Sequence, residues 1–171
     1  MPDEQKATTT TQPPVITIYT DGSSRGNPGP GGFGIVLMSG QHRKDFAQGY
    51  RRTTNNRMEL LGVITALEML KIPNSNVTIY TDSKYVADAI NQKWIYGWVK
   101  KQFKNVKNPD LWMRFLRIYP KHQVKFVWVK GHAENQFNNR CDELAVAAAT
   151  GPNLLVDTYF ESNENSATLN I

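Results

Sequence analysis

Cysteine is almost absent. Cys141 is the only one among 171 residues, so no intrachain disulfide can form and nothing in the sequence demands an oxidising compartment. Long apolar runs are missing too: no stretch approaches the roughly 20 apolar residues that span a bilayer. The first fourteen residues, Met1 to Pro14, are polar and threonine-rich and lack the apolar core of a secretory signal. These absences predict a cytoplasmic, unexported protein with a flexible arm over 1–14 and no membrane contact. Acids are missing between Asp88 and Asp110, where five lysines stand among aromatic residues.

What is present is an ordinary globular composition, 40% hydrophobic and 20% charged, at the length of one domain. The net charge is +5 and the pI about 9.3, which favours polyanionic partners such as nucleic acid without requiring one.

Val15 to Asp21 is β-branched and aromatic and predicts a buried strand with Asp21 at its C-terminal end. Gly22 to Gly32 is crowded with glycine and proline and predicts a loop, after which Phe33 to Met38 and Arg43 to Tyr50 predict two strands joined through Ser39-Gly40. From Asn56 the period becomes helical, with Leu60, Ile64 and Leu67 on one face, Glu59 in the first turn and Pro73 beyond the end. Asn76 to Asp82 is a further strand, and its Val-Thr-Ile-Tyr-Thr-Asp nearly repeats the Ile-Thr-Ile-Tyr-Thr-Asp that ends at Asp21.

A strand, a helical crossover and a second strand normally pair in parallel, so Asp21 and Asp82 are expected as neighbours. Helices are predicted over Ser83 to Gln92, around Trp94 to Phe103 and over Asp110 to Tyr119, with Asp110 as N-cap. Val124 to Val129 alternates as a fifth strand, Gly131 to Asn139 is irregular, and Arg140 to Thr150 is an alanine-rich helix that Gly151-Pro152 stops. The predicted fold is α/β: a five-stranded mixed sheet, three strands antiparallel and two parallel, flanked by helices and occupying 15–152. Residues 153–171 form a tail in which Ser162 to Asn170 is expected to be disordered, with a short docking of Leu154, Leu155, Val156, Tyr159 and Phe160 before it.

Four acids fall at element ends in this architecture: Asp21, Asp82, Glu59, and Asp142 opening the last helix. Clustered carboxylates repel and are stable together when divalent cations neutralise them. Oxygen-only ligands favour Mg²⁺ or Mn²⁺ over zinc, and two such ions about 3.5–4 Å apart suit phosphodiester hydrolysis. Taken singly, each Asp is equally well explained as turn or helix punctuation; the strand ending that occurs twice argues for the set. His132, in the irregular segment ten positions before Asp142, is placed either to move a proton at the attacking water or simply to sit in solvent. Cys141 is expected to pack, with an oxidisable thiol as the alternative.

Several segments together resemble the type I ribonuclease H family: Tyr19-Thr20-Asp21-Gly22-Ser23, Gly26-Asn27-Pro28-Gly29-Pro30-Gly31-Gly32, Thr53-Thr54-Asn55-Asn56-Arg57-Met58-Glu59-Leu60, Thr81-Asp82-Ser83, and Val129-Lys130-Gly131-His132-Ala133 with Arg140-Cys141-Asp142-Glu143-Leu144-Ala145. They stand in the family's order and cover roughly Val15 to Pro152. The resemblance implies cleavage of the RNA strand of RNA/DNA hybrids, leaving 5′-phosphate and 3′-hydroxyl ends. It implies Asp21, Glu59, Asp82 and Asp142 as metal-binding catalytic acids and His132 as the histidine that assists turnover. Asp21 would lie between both ions, Asp142 on the water side, and Glu59 and Asp82 on the leaving-group side.

By the same resemblance Asn27, Asn55, Asn56 and Glu59 face the RNA strand or the minor groove, where the 2′-hydroxyl distinguishes RNA from DNA. Turn chemistry is the competing explanation for Asn27. Arg52 and Thr54 would hold a phosphate of the DNA strand. The lysine-rich stretch resembles the family's basic protrusion, with Trp94, Trp98, Lys100, Lys101 and Lys104 on nucleic acid; the alternative is a helix with its aromatics in the core and its lysines solvated. Two departures stand out: Trp94 to Trp112 is shorter than in the longest bacterial members, and Gln136-Phe137 replaces an expected glycine or proline. A monomer without a small-molecule cofactor is expected.

Overall fold

The two runs that end in Tyr-Thr-Asp lie side by side. In a computed structural model, which describes residues 12–131 and 135–169, β1 (Val15–Ser24) and β4 (Asn76–Thr81) pair in parallel with Ile18 opposite Ile79 and Tyr19 opposite Tyr80. The same offset carries Asp21 and Asp82 to one edge. Most of the expected 1–14 arm lies outside the described residues.

Antiparallel to β1 runs β2 (Gly29–Ser39), and antiparallel to β2 runs β3 (His42–Thr53), while β5 (Gln123–Trp128) lies parallel to β4. The strand order is β5-β4-β1-β2-β3-β6, so the sheet has one strand more than expected. The addition, β6 (Leu154–Leu155), is two residues parallel to β3 and too short to show a period. The glycine-rich segment expected as a loop is mostly strand: β1 continues three residues beyond Asp21 against β2, and only the turn between Ser24 and Gly29 is irregular. Glycine is needed there for close approach. A Cβ at Gly34 would lie 2.3 Å from the carbonyl oxygen of Cys141, so β2 can accept α5 (Gln136–Thr150) directly against its backbone.

On the other face lies α1 (Asn55–Glu68). Thr54 caps it, its side chain accepting from Arg57 N–H at 3.2 Å. Every residue from Arg57 to Leu67 except Thr65 is buried, as befits a helix enclosed on nearly all sides. Because it begins at Asn55, Glu59 opens its second turn, not its first. Ile16, Ile18, Phe33, Ile35, Ile64, Leu67 and Ile79 form the main core with Trp112 and Phe115 of α4 (Pro109–Ile118). Tyr19, Val36 and Cys141 form a smaller cluster under α5. Between β4 and α4 come α2 (Lys84–Asn91) and α3 (Trp94–Lys100). The last is shorter than expected because Gln102, Phe103 and Asn105 take positive φ, which breaks a right-handed helix.

A buried cation ties these parts together. The Arg57 side chain is 3% exposed and pairs with Asp110 (2.9 and 2.7 Å) and Asp157 (2.7 and 3.0 Å), while Thr53 Oγ1 also donates to Asp157 at 2.7 Å. Asp110, expected as the α4 N-cap, is drawn to this guanidinium instead. Asn108 takes the cap position and Pro109 the first helical one.

Of the stretch Ser162 to Asn170 expected to be disordered, the residues up to Leu169 belong to α6 (Thr158–Leu169), and Asn170 lies outside the described residues. Glu161 and Glu164 of α6 pair with Arg51 and Arg52, partners more than a hundred residues away that local polarity does not reveal. Among the described residues no helix is long and apolar enough to cross a membrane.

Buried and surface ion pairs are expected to differ in cost. Asp157→Ala, which strips Arg57 of a buried partner, should cost about 3 kcal/mol, whereas Glu68→Ala, which breaks the exposed pair with Arg114, should cost less than about 1 kcal/mol. Urea unfolding of both variants checks the contrast.

Candidate active site

Asp21 comes from β1, Glu59 from α1, Asp82 from the residue after β4, and Asp142 from α5. All four line one cavity of about 210 Å³ together with Gly22, Asn55, Asn138 and Asn139. Asp21, Glu59 and Asp82 each present a carboxylate oxygen within 4.8 Å of the others.

Local packing explains the convergence. A Cβ at Gly22 would lie 2.4 Å from the backbone nitrogen of Glu59, so only glycine lets the second turn of α1 rest on β1 beside Asp21. The Gly22 N–H donates to Asp21 Oδ1 at 2.9 Å. Trp128 Nε1 donates to the Asp82 carbonyl at 3.1 Å and so holds the end of β4. The Cys141 thiol donates to the Tyr19 carbonyl at 3.2 Å, pinning α5 to β1 next to Asp142. Cys141 is fully buried, and burial followed by the charge of Asp21 pushes its pKa up to about 12; it packs as a thiol.

Asp142 does not open its helix. Asn135 caps α5, its Oδ1 accepting from Phe137 N–H (2.8 Å) and Asn138 N–H (3.1 Å), so Asp142 stands near the end of the second turn. The polar run Gln136 to Asn139 hides this start in sequence. It also hides Asn138, which lies four residues before Asp142 on the same helix face and lines the cavity; that spacing was the available signal.

The electrostatics are those of crowded anions. Burial, then Asp82 and Asp142, raises Asp21 to about 8. Burial, then Asp21 and Asp82, holds Glu59 well above the usual carboxylate range. Among the described residues no lysine or arginine lines the cavity. Glu59 Oε2 and Asn138 Oδ1 are buried without a hydrogen-bond partner, which is costly for oxygens in a protein interior. A donor set made of carboxylate and amide oxygens, with unsatisfied acceptors and no internal cation, fits a hard divalent ion.

The remaining candidates lie around this cavity. His132 falls outside the described residues. Asn27 Oδ1 accepts from Asn55 N–H and Asn55 Oδ1 from Ser24 N–H, both at 3.1 Å, so Asn27 does serve the turn while Asn55 also faces the acids. Asn27, Thr54 and Asn56 line a second cavity of about 470 Å³ with Lys107 and Asn108. Arg52 is engaged by Glu164 (2.7 and 3.0 Å). Trp94 is exposed, but the Trp98 ring packs 5.2 Å from Trp112 against the core, so core packing claims Trp98 because it faces α4. Lys100, Lys101 and Lys104 are exposed.

The family model of RNase H matches residues 13–150. The ribonuclease H of Desulforamulus reducens is 53% identical over 147 residues, covering 83% of this chain and 92% of that protein. Among solved structures, LC9-RNase H1, described as a type 1 RNase H with the type 2 active-site motif, superposes with a TM-score of 0.76 at 30% identity over 91% of this chain and 83% of that one. LC11-RNase H1, solved with an RNA/DNA hybrid, has a TM-score of 0.51 at 26% identity over 78% of this chain and 96% of that one. The chain belongs to the ribonuclease H family. It is a nuclease, and the acidic cavity is its candidate divalent-metal centre.

The raised carboxylates make the metal-free protein pH-sensitive. Asp21 ionises near 3.8 when unfolded and near 8 when folded, so its contribution to stability is full below about 3.8 and is lost as pH rises towards 8. Without metal, the melting temperature of the wild type is expected to fall over this range relative to Asp21→Asn. Added Mg²⁺ should raise it at pH 8 by at least about 3 °C, roughly 1 kcal/mol for a chain of this size, and by less at pH 5. Thermal unfolding with and without chelator checks both.

Proposed function

We propose that this protein hydrolyses the RNA strand of RNA/DNA hybrids, leaving 5′-phosphate and 3′-hydroxyl ends. The observation that carries the reading is the single cavity holding Asp21, Glu59, Asp82 and Asp142, with a buried Glu59 oxygen that has no protein partner. These four acids would hold two Mg²⁺ ions, with Mn²⁺ as a substitute. Bound divalent ions supply Lewis acidity that activates a water and stabilises the leaving oxygen.

The protein's own residues do the rest. The Gly22 N–H fixes Asp21 for ligation, and the tie from Trp128 to the Asp82 backbone fixes that acid's approach. His132 accepts or returns a proton at the attacking water. Asn55, beside the acids, and Asn56, next to it at the start of α1, face the RNA strand and sense 2′-hydroxyls in the minor groove. Asn27 braces them through its bond to Asn55. Thr54 and Arg52 take a phosphate of the DNA strand, and Lys100, Lys101 and Lys104, with Trp94, grip its backbone. Sequence-independent selection of hybrid follows, because shape and hydroxyls are read while bases are not. LC11-RNase H1 in complex with an RNA/DNA hybrid supports this choice of substrate.

Cleavage of an end-labelled hybrid in Mg²⁺ tests the reading. Wild type is expected to cut the RNA strand alone, and Asp21→Asn to lose about a thousandfold or more in rate, the scale of removing electrostatic support from a transition state, while still binding hybrid. Equal cutting of duplex DNA would assign another nuclease of the same fold, and binding without cutting by the wild type would assign a hybrid-binding module. Replacing Lys100, Lys101 and Lys104 by Gln should weaken hybrid binding and flatten its logarithmic salt dependence by about 0.9 for each lysine that lies on a phosphate; titrations at several salt concentrations measure the slope.

A further inference from the structure

We propose that α6 is an acidic strap across the arginines of β3, and that nucleic acid reaches this edge by exchanging a phosphate for a carboxylate. The inference rests on the hybrid-nuclease reading above and concerns the control of substrate entry.

Residues 153–171 carry three acids and no lysine or arginine in a chain that is otherwise strongly basic. The first acid, Asp157, is an anchor: it is buried, takes Arg57 and Thr53, and accepts from Phe160 N–H at 3.4 Å in the first turn of α6. Tyr159 adds its ring 5.3 Å from the Arg57 guanidinium. The other two acids lie one helical turn apart and reach neighbouring arginines. Arg51 meets Glu161 with two contacts of 2.9 Å, and Arg52 meets Glu164 at 2.7 and 3.0 Å.

These outer pairs differ in kind from the anchor. The Arg51 and Arg52 side chains are 59% and 46% exposed and those of Glu161 and Glu164 are 22% and 26% exposed, so each pair is open to solvent on its arginine side, contributes little and is weakened by salt. A phosphate diester offers a planar guanidinium the same two-oxygen acceptor as a carboxylate, so exchange is close to balanced. Among the described residues Glu164 is also the only acid lining the cavity of Asn27, Thr54, Asn56, Lys107 and Asn108. A phosphate entering there meets amide, hydroxyl and ammonium donors and one like charge, which α6 supplies. Moving Glu164 aside removes the repulsion and frees Arg52 together. The Asp157 anchor stays in place, so the strap hinges from its first turn and the fold survives its release.

The test uses the full chain in the Asp21→Asn background with Mg²⁺, so that bound hybrid is not consumed. Labelled hybrid is titrated against this protein and against the same chain with Glu161→Gln and Glu164→Gln. Both titrations are repeated with Arg51 and Arg52 changed to Gln. The two Glu substitutions are expected to tighten binding about fivefold, the scale of two exposed ion pairs, and to do nothing once the arginines are gone. Unchanged or weaker binding overturns the strap. So does tightening that persists without the arginines, because it would reflect only the lost negative charge. If the Glu variants fray α6, the arginines are still released and the same tightening is expected. Cleavage by the otherwise native chain separates the two readings: Mg²⁺-dependent cutting of hybrid with unchanged affinity overturns the strap alone, whereas neither binding nor cutting of hybrid overturns the substrate assignment and the strap with it.

Discussion

Repulsion among crowded carboxylates, of which Asp21 and Glu59 are buried, is the constraint on which the rest of this structure depends. Asp21, Glu59, Asp82 and Asp142 converge on one small cavity whose lining among the described residues holds no lysine or arginine, and burial together with mutual charge drives Asp21 and Glu59 towards the protonated form. Nothing local favours such a cluster. It is held by interactions made elsewhere: the parallel pairing of β1 with β4, the seating of α1 on Gly22, and the fixing of α5 by Cys141 and the Asn135 cap. The work of packing is stored as unsatisfied oxygen at the site, the condition in which a divalent cation is most useful.

Arg57 is the counterpart. One buried guanidinium satisfies two carboxylates and ties α1, α4 and the chain before α6 to one point. Two residues along α1 from this fully paired cation sits Glu59, a buried acid with an orphaned oxygen. One helix therefore carries both a structural charge cluster that closes internally and a functional one left open. The difference is the sign of what surrounds each group, not the degree of burial.

The surface beyond these clusters is graded by exchangeability. Buried pairs around Asp157 are costly to break, while the more exposed pairs of α6 with Arg51 and Arg52 are weak enough to yield to another anion. Electrostatics thus divides the C-terminal segment into an anchor and a displaceable part within about two turns of helix.

The sequence by itself determined the strand pattern, the crossover helix and the membership of the acid cluster. The repeated Tyr-Thr-Asp ending and the helical period around Leu60, Ile64 and Leu67 are local signals, and right-handed parallel crossover does the rest. The motif blocks added the family. Only the tertiary structure located the start of α5 and with it the place of Asn138, the transfer of Asp110 from helix cap to Arg57, the packing of Trp98 against Trp112, the sixth strand, and the ordering of α6. Except at the start of α5, which Asn135 caps locally, the deciding partner is distant along the chain. A polar residue's preference for solvent, cap or ion pair is nearly balanced until folding fixes which charge or ring lies opposite, and that choice has no period to read.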